Sequence, residues 1–257
     1  MPSVHLKDLT IGYIGRRQTH VVQRNINATI HAAELTCLLG ANGIGKSTLL
    51  RTLSAFLPPL EGKVFVDEQD IRTLTPNQLS RQISVVLTEK PDLQNMSVCD
   101  LVAMGRSPYT GFWGRLSDDD EAVVTTALQQ VGIQALERRP VTTLSDGERQ
   151  KAMIAKALAQ QTPVIYLDEP TAFLDFPSKV EMMQLLRRLA RDTSKTIFLS
   201  THDLELSLQV ADRVWLMTHE GLHIGTPRQL ADSGHLAHFI ERPGIHFNPL
   251  DLSIHVD

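Results

Sequence analysis

Basic excess is missing from this sequence: 25 Lys and Arg stand against 29 Asp and Glu among 257 residues, a formal net charge of −4. A chain so balanced has no electrostatic footprint for nucleic acid. Cysteine is nearly absent. Cys37 and Cys99 both sit in apolar surroundings, which points to a reducing compartment and excludes a disulfide framework. No apolar run approaches the roughly 20 residues that span a bilayer, so a soluble chain without direct membrane insertion is expected, and any membrane role needs partner chains. Met1 to His5 lacks the charged-then-apolar pattern of a secretory leader. Low-complexity tracts and internal repeats are also missing, and the length suits one sizeable domain.

What is present centres on Gly40-Ala41-Asn42-Gly43-Ile44-Gly45-Lys46-Ser47-Thr48. This stretch fits the phosphate-loop pattern Gly-x-x-x-x-Gly-Lys-Ser without mismatch. Leu35 to Leu39 before it reads as a buried strand, and Leu49 to Leu53 after it as a helix. The glycines let several N–H groups face one anion, and the helix adds its positive dipole end at the same point. Lys46 reaches the outer phosphates in such a loop, and the Ser47 hydroxyl holds a magnesium ion. A nucleoside triphosphate is the expected ligand.

Around this loop the pattern predicts an antiparallel strand pair, Val4 to Ile11 and Ile26 to Ile30, then short strands at 61–67 and 83–88. From about 91 to 160 the character turns helical, with starts at Ser97 and at Ser117, the latter followed by the acidic turn Asp118 to Glu121. Strand and helix then alternate: Val164 to Leu167, a helix from about Ser178 to Arg191, Thr196 to Ser200, a helix to Ala211, and Val214 to Met217. The prediction is one α/β domain over 1–240. Its nucleotide-binding core spans about 1–90 and 161–235, with a helical subdomain at about 91–160. A tail at 241–257 offers no readable element.

Ligands in open α/β sheets sit at the carboxyl ends of parallel strands. Four predicted strand ends carry polar groups: the phosphate loop, Glu89, Asp168-Glu169 and His202. Asp168 is positioned to hold magnesium, and Glu169 to accept a proton from attacking water. Leu144-Ser145-Asp146-Gly147-Glu148-Arg149-Gln150 reads as a capping box opening a helix. A helix start with a hydroxyl and Gly147 is also a second anion site, so two copies sharing nucleotides are expected. Lys151, Lys156, Arg187, Arg188 and Arg191 fit a solvated helix face.

These motifs resemble the ATP-binding subunit of an ABC transporter, and the resemblance covers nearly the whole chain. Its fold is a P-loop NTPase core with an N-terminal antiparallel β part and a helical subdomain. Leu144 to Gln150 is similar to that family's signature, with Asp146 in place of glycine. By resemblance Tyr13 stacks on adenine, Ala172 to Asp175 is the dimer-contact loop, and His202 senses the γ-phosphate. The resemblance implies a head-to-tail homodimer. ATP then lies between one copy's Gly40, Asn42, Gly43, Gly45, Lys46, Ser47 and Thr48 and the other's Ser145, Gly147 and Glu148. Glu89 stands where the family usually has glutamine and is expected to be functional, beside Ser47 and Asp168 on the magnesium.

Leu101 to Arg106 and the aromatic loop with Tyr109, Phe112 and Trp113 resemble importers of ferric siderophores, haem or cobalamin. The implied function is ATP hydrolysis that powers such an importer from the cytoplasmic face of the membrane. Polytopic permease subunits and, through them, a substrate-binding protein are the implied partners. A soluble ABC ATPase acting as a scaffold or assembly factor, without a transmembrane pore, is the alternative. A P-loop kinase explains neither the Ser145 stretch nor His202.

Overall fold

The computed structural model describes residues 3–15, 18–88, 94–111 and 114–257. Glu89, Phe112 and Trp113 lie outside the described residues. The chain opens with β1 (Val4–Ile14) and β2 (Thr19–Ile30), an antiparallel pair. β3 (Leu35–Gly40) then leads into α1 (Lys46–Leu53), followed by β4 (Glu61–Val66), β5 (Gln69–Asp70), α2 (Pro76–Ser80) and β6 (Ile83–Val86). Among the described residues three α-helices intervene: α3 (Val98–Ala103), α4 (Asp118–Gln130) and α5 (Asp146–Ala159). Next come β7 (Val164–Asp168), α6 (Phe176–Thr193), β8 (Thr196–Ser200), α7 (Leu204–Val210), β9 (Arg213–Met217) and β10 (Leu222–Gly225). The chain ends in α8 (Pro227–Asp232), α9 (His235–Ile240) and the hairpin β11 (Ile245–Asn248) and β12 (Ser253–Val256).

A six-stranded sheet in the order β10-β9-β3-β8-β7-β6 forms the centre. β9, β3, β8, β7 and β6 run parallel, and β10 closes one edge antiparallel. A parallel strand covered on both faces must be apolar throughout, and β3 shows how the period of two then divides the core. Leu35, Cys37 and Leu39 join the cluster under α3 to α6, whereas Leu38 joins the cluster with α1 and the β2-β1-β4-β5 sheet. Tyr166, Phe198 and Trp215 repeat the second orientation on β7, β8 and β9. All three are fully buried. Burial also pushes the Cys37 thiol up to about 12, so it is an apolar core residue rather than a reactive one.

Three expectations change. β2 starts at Thr19 rather than at Ile26, because its largely exposed first half pairs with β1 out to Ile14 without an apolar alternation to announce it. α6 starts at Phe176 rather than near Ser178, because Asp175 caps it and Pro177 fits its first turn. The region after Gly234 holds a helix and a hairpin with too few residues each to give a sequence period.

Candidate functional site

β3 delivers the loop between Gly40 and Lys46 to the carboxyl edge of the sheet. Gly45, the residue before α1, has φ +115, and a β-carbon there would run into Val22 Cγ1 of β2. Only glycine fits this close approach. Lys46 is buried, and its Nζ donates to the carbonyls of Gly40 (2.8 Å) and Ala41 (3.1 Å). Burial pushes its ammonium down from the ordinary 10.5, against the opposing pull of Glu169 and Asp168. Asn42, Gly43 and Ser47 are exposed, and Thr48 is half-buried.

β7 and β8 bring three further groups to the same edge. Asp168 Oδ1 accepts from Ser200 Oγ at 2.6 Å, and its carbonyl accepts from Thr88 Oγ1 at 2.7 Å. Glu169 follows with φ +49, its N–H donating to the Ser200 carbonyl and hydroxyl, both at 3.1 Å. His202 Nε2 lies 2.5 Å from Glu169 Oε1, and its Nδ1 lies 3.5 Å from Lys46 Nζ. A neutral imidazole protonated on Nε2 satisfies both contacts, donating to the carboxylate and accepting from the ammonium. Thr171 Oγ1 and Lys179 Nζ each donate to Asp203 at 2.8 Å, tying the chain after Glu169 to the chain after His202.

The structure therefore brings Lys46, Asp168, Glu169 and His202 together. Tyr13 lies on β1, half exposed, its ring stacked on His20 across the β1–β2 pair at 5.1 Å. Ser145, Gly147 and Glu148 form the separate start of α5. The Glu148 carboxylate accepts from Ser145 N (2.8 Å) and Oγ (3.0 Å), and Ser145 Oγ accepts from Glu148 N (3.3 Å). Asp175 caps α6 through Ser178 N at 3.1 Å, and the Ser178 hydrogen bonds hold its carboxyl below the usual carboxylate range.

Sequence reading passed over Ser200, Thr88, His20, Thr171, Asp203 and Lys179. Ser200 had a signal, a hydroxyl ending an apolar parallel strand. The solvated-face reading also needs correction. Lys156 is half-buried, and desolvation pushes its ammonium down. Arg187 and Arg191 pair with Asp212 at 3.0 and 2.7 Å.

The ABC transporter family model matches residues 23–172. The chain belongs to the ABC transporter ATPases. It is 40% identical over 225 residues to an uncharacterized ABC transporter ATP-binding protein of Methanocaldococcus jannaschii, covering 87% of this chain and 76% of that one. It is 37% identical over 234 residues to the achromobactin transport ATP-binding protein of Dickeya dadantii, covering 90% of this chain and 85% of that one. The ferric enterobactin transport ATP-binding protein of Escherichia coli is 35% identical over 238 residues, with 92% and 84% covered. Among solved structures, an inward-facing metal-chelate type ABC transporter superposes with a TM-score of 0.78 at 27% identity, covering 93% of this chain and 88% of that one. No helix among the described residues is long and apolar enough to cross a membrane.

Proposed function

We propose that this ATPase powers an importer of an iron–siderophore complex or a related metal chelate. The carrying observation is the line Lys46–His202–Glu169, which sets a carboxylate, an imidazole and a buried ammonium on one strand edge. Gly40, Asn42, Gly43, Gly45 and Thr48 shape the loop around the phosphates, and Lys46 engages the outer ones. Glu169 accepts the proton of the attacking water, with His202 holding that carboxylate and the γ-phosphate in register. Tyr13 offers its exposed face to adenine.

An exposed hydroxyl at Ser47 and a carboxylate at Asp168, one oxygen already fixed by Ser200, form a hard-oxygen donor set that fits Mg2+. Bound there, the ion would neutralise charge on the transferred phosphoryl group.

Ser145, Gly147 and Glu148 act on the nucleotide of a second copy, and Asp175 lies at the contact between copies. ATP binding shifts the pair towards closure and hydrolysis reopens it, moving permease partners between two states. The names of the relatives support the transport reading over a soluble assembly factor, and they support peripheral residence on the cytoplasmic face beside a permease and its substrate-binding protein. Replacing Glu169 with Gln keeps the shape and removes the proton acceptor. ATPase activity should fall roughly 10²- to 10⁴-fold with ATP binding retained. A rate near the parent's removes Glu169 from the role of base.

A further inference from the structure

The carboxyl end of α5, opposite Ser145, is held unusually firmly. Helix ends leave carbonyls without intrahelical partners, and here two side chains take them: Arg106 Nη1 donates to Ala159 O at 2.8 Å, and Tyr109 OH to Gln160 O at 3.0 Å. Arg106 is buried and paired through Nε with Asp120 Oδ1 at 2.8 Å. Its guanidinium lies over the Tyr109 ring at 4.0 Å, and that of Arg81, just after α2, lies over the same ring at 4.8 Å. Arg81 Nη2 and Asn77 Nδ2 donate to the carbonyl of Pro108, at 2.8 and 3.3 Å. Gln160 Nε2 returns the contact, donating to Ser80 O (2.6 Å) and Ile83 O (3.1 Å).

Tyr109 thus sits where the helical part meets α2 and β6 of the core. We propose that it is a positioning residue for ATP-driven closure: its ring, clasped by Arg81 and Arg106, sets the angle at which α5 presents Ser145 to a second copy. The geometry gives the leverage. α5 is a rod of about 20 Å at 1.5 Å per residue, so a tilt of about 5° at Gln160 moves Ser145 by roughly 2 Å. Displacements of about 1 Å at a reacting centre already cost on the order of 10²-fold. Cation–π contacts suit such a joint, because they hold a ring over a broad area without one fixed hydrogen-bond direction. The inference rests on the shared-site reading above.

The experiment uses the Glu169→Gln chain as parent and measures ATP-dependent dimer formation by analytical ultracentrifugation. Monomer affinity for a fluorescent ATP analogue and Tm are measured in parallel. Tyr109→Leu removes the clasped ring, Tyr109→Phe keeps it and loses only the hydroxyl, and Arg81→Gln alters an exposed residue at the edge of the joint, with Tm reporting any loss of fold. Tyr109→Leu and Arg81→Gln should raise the dimer dissociation constant about 3- to 30-fold. Tyr109→Phe should stay within about threefold of the parent, and monomer nucleotide affinity should be retained in all three. Equal dimerisation of parent and Tyr109→Leu, or nucleotide affinity falling in step with dimerisation, overturns the assignment of Tyr109. A parent that forms no ATP-dependent dimer overturns the shared-site reading itself, and the proposal with it.

Discussion

Two helix starts in this chain carry anion-binding sequence signals, and they are built in opposite ways. α1 begins after Gly45, which offers no side-chain cap, and has no acid in its first turn. α5 begins after Ser145 with a complete capping box and with Asp146 and Glu148 in its first turn. The second arrangement is the ordinary one here: α2, α3, α4 and α8 also start with capping boxes. A start with no acid of its own leaves the dipole end to an incoming anion. At α5 the chain's own carboxylate already takes the Ser145 N–H and hydroxyl. On the reading proposed above, the α1 loop binds phosphate alone, whereas at α5 the Ser145 hydroxyl must turn from the Glu148 carboxylate towards the phosphate of a second copy. That ranks it as the second, closure-dependent contact.

The largest effect that could break this ranking comes from adding one methyl group at each start. Gly45→Ala meets both the positive φ and Val22. Strain and crowding of roughly 2–6 kcal/mol should reduce ATP affinity by about 30-fold or more. Gly147 has open space, the nearest atom being Leu174 Cδ2 at 4.0 Å. Gly147→Ala should therefore leave monomer ATP affinity unchanged and stabilise the fold by about 0.5–1 kcal/mol. ATPase activity should nonetheless drop roughly tenfold, because phosphate can no longer approach that backbone closely. Nucleotide titration, melting and steady-state ATPase assays on both variants decide it. Full activity in Gly147→Ala removes α5 from the site.

A middle-sized effect separates capping from ligand contact at Ser145. Ser97 starts α3 with the same box, its hydroxyl and N–H shared with Asp100. Ser97→Ala and Ser145→Ala should each cost about 1 kcal/mol of stability, a Tm decrease of roughly 2–4 °C at this chain length. Only Ser145→Ala should also lose ATPase activity, by about tenfold relative to Ser97→Ala. Equal activities would leave Ser145 as a cap and nothing more.

What could be read in advance follows from where the information lies. Gly40 to Thr48 declares its chemistry in nine contiguous residues, and the central strands declare themselves as short apolar runs between breakers. Asp168, Glu169 and His202 could be aligned because each ends such a run. Ser200 and Thr88 could not, since their bonds to Asp168 span 32 and 80 residues and depend on the β8-β7-β6 register. The Arg81–Tyr109–Arg106 joint was hidden for the same reason. Tyr109 read as part of an aromatic loop and Arg106 as the end of the Leu101 stretch, and Arg81 drew no reading at all until α2 and α5 were set side by side. β10 and the β11–β12 hairpin are four residues each, below the length at which alternation separates from chance.

The smallest effect concerns protons, and it sharpens the same contrast, because α5 closes on a carboxylate and α1 does not. Hydrogen bonds from Ser145 hold Glu148 below its ordinary 4.5. A depressed carboxylate contributes stability that is complete above its unfolded value and is lost as pH falls through the folded one. Asp120 at α4 follows the same sign, held at about 2 by Ser117 and Arg106, so its share fades from about pH 4 towards 2. Glutamine can replace the acid in such a box, since Gln78 and Gln229 already accept from Thr75 N and Thr226 N at 2.9 Å. Glu148→Gln should therefore melt within about 1 °C of the parent at pH 7, about 0.5 kcal/mol at most. Below pH 4.5 it should lose stability less steeply than the parent, because the amide has no proton to take up. Paired melts from pH 7 to 3 test this directly. Parallel curves would mean that the carboxylate is not what holds Ser145, and the start of α5 would then be as open to an anion as the start of α1.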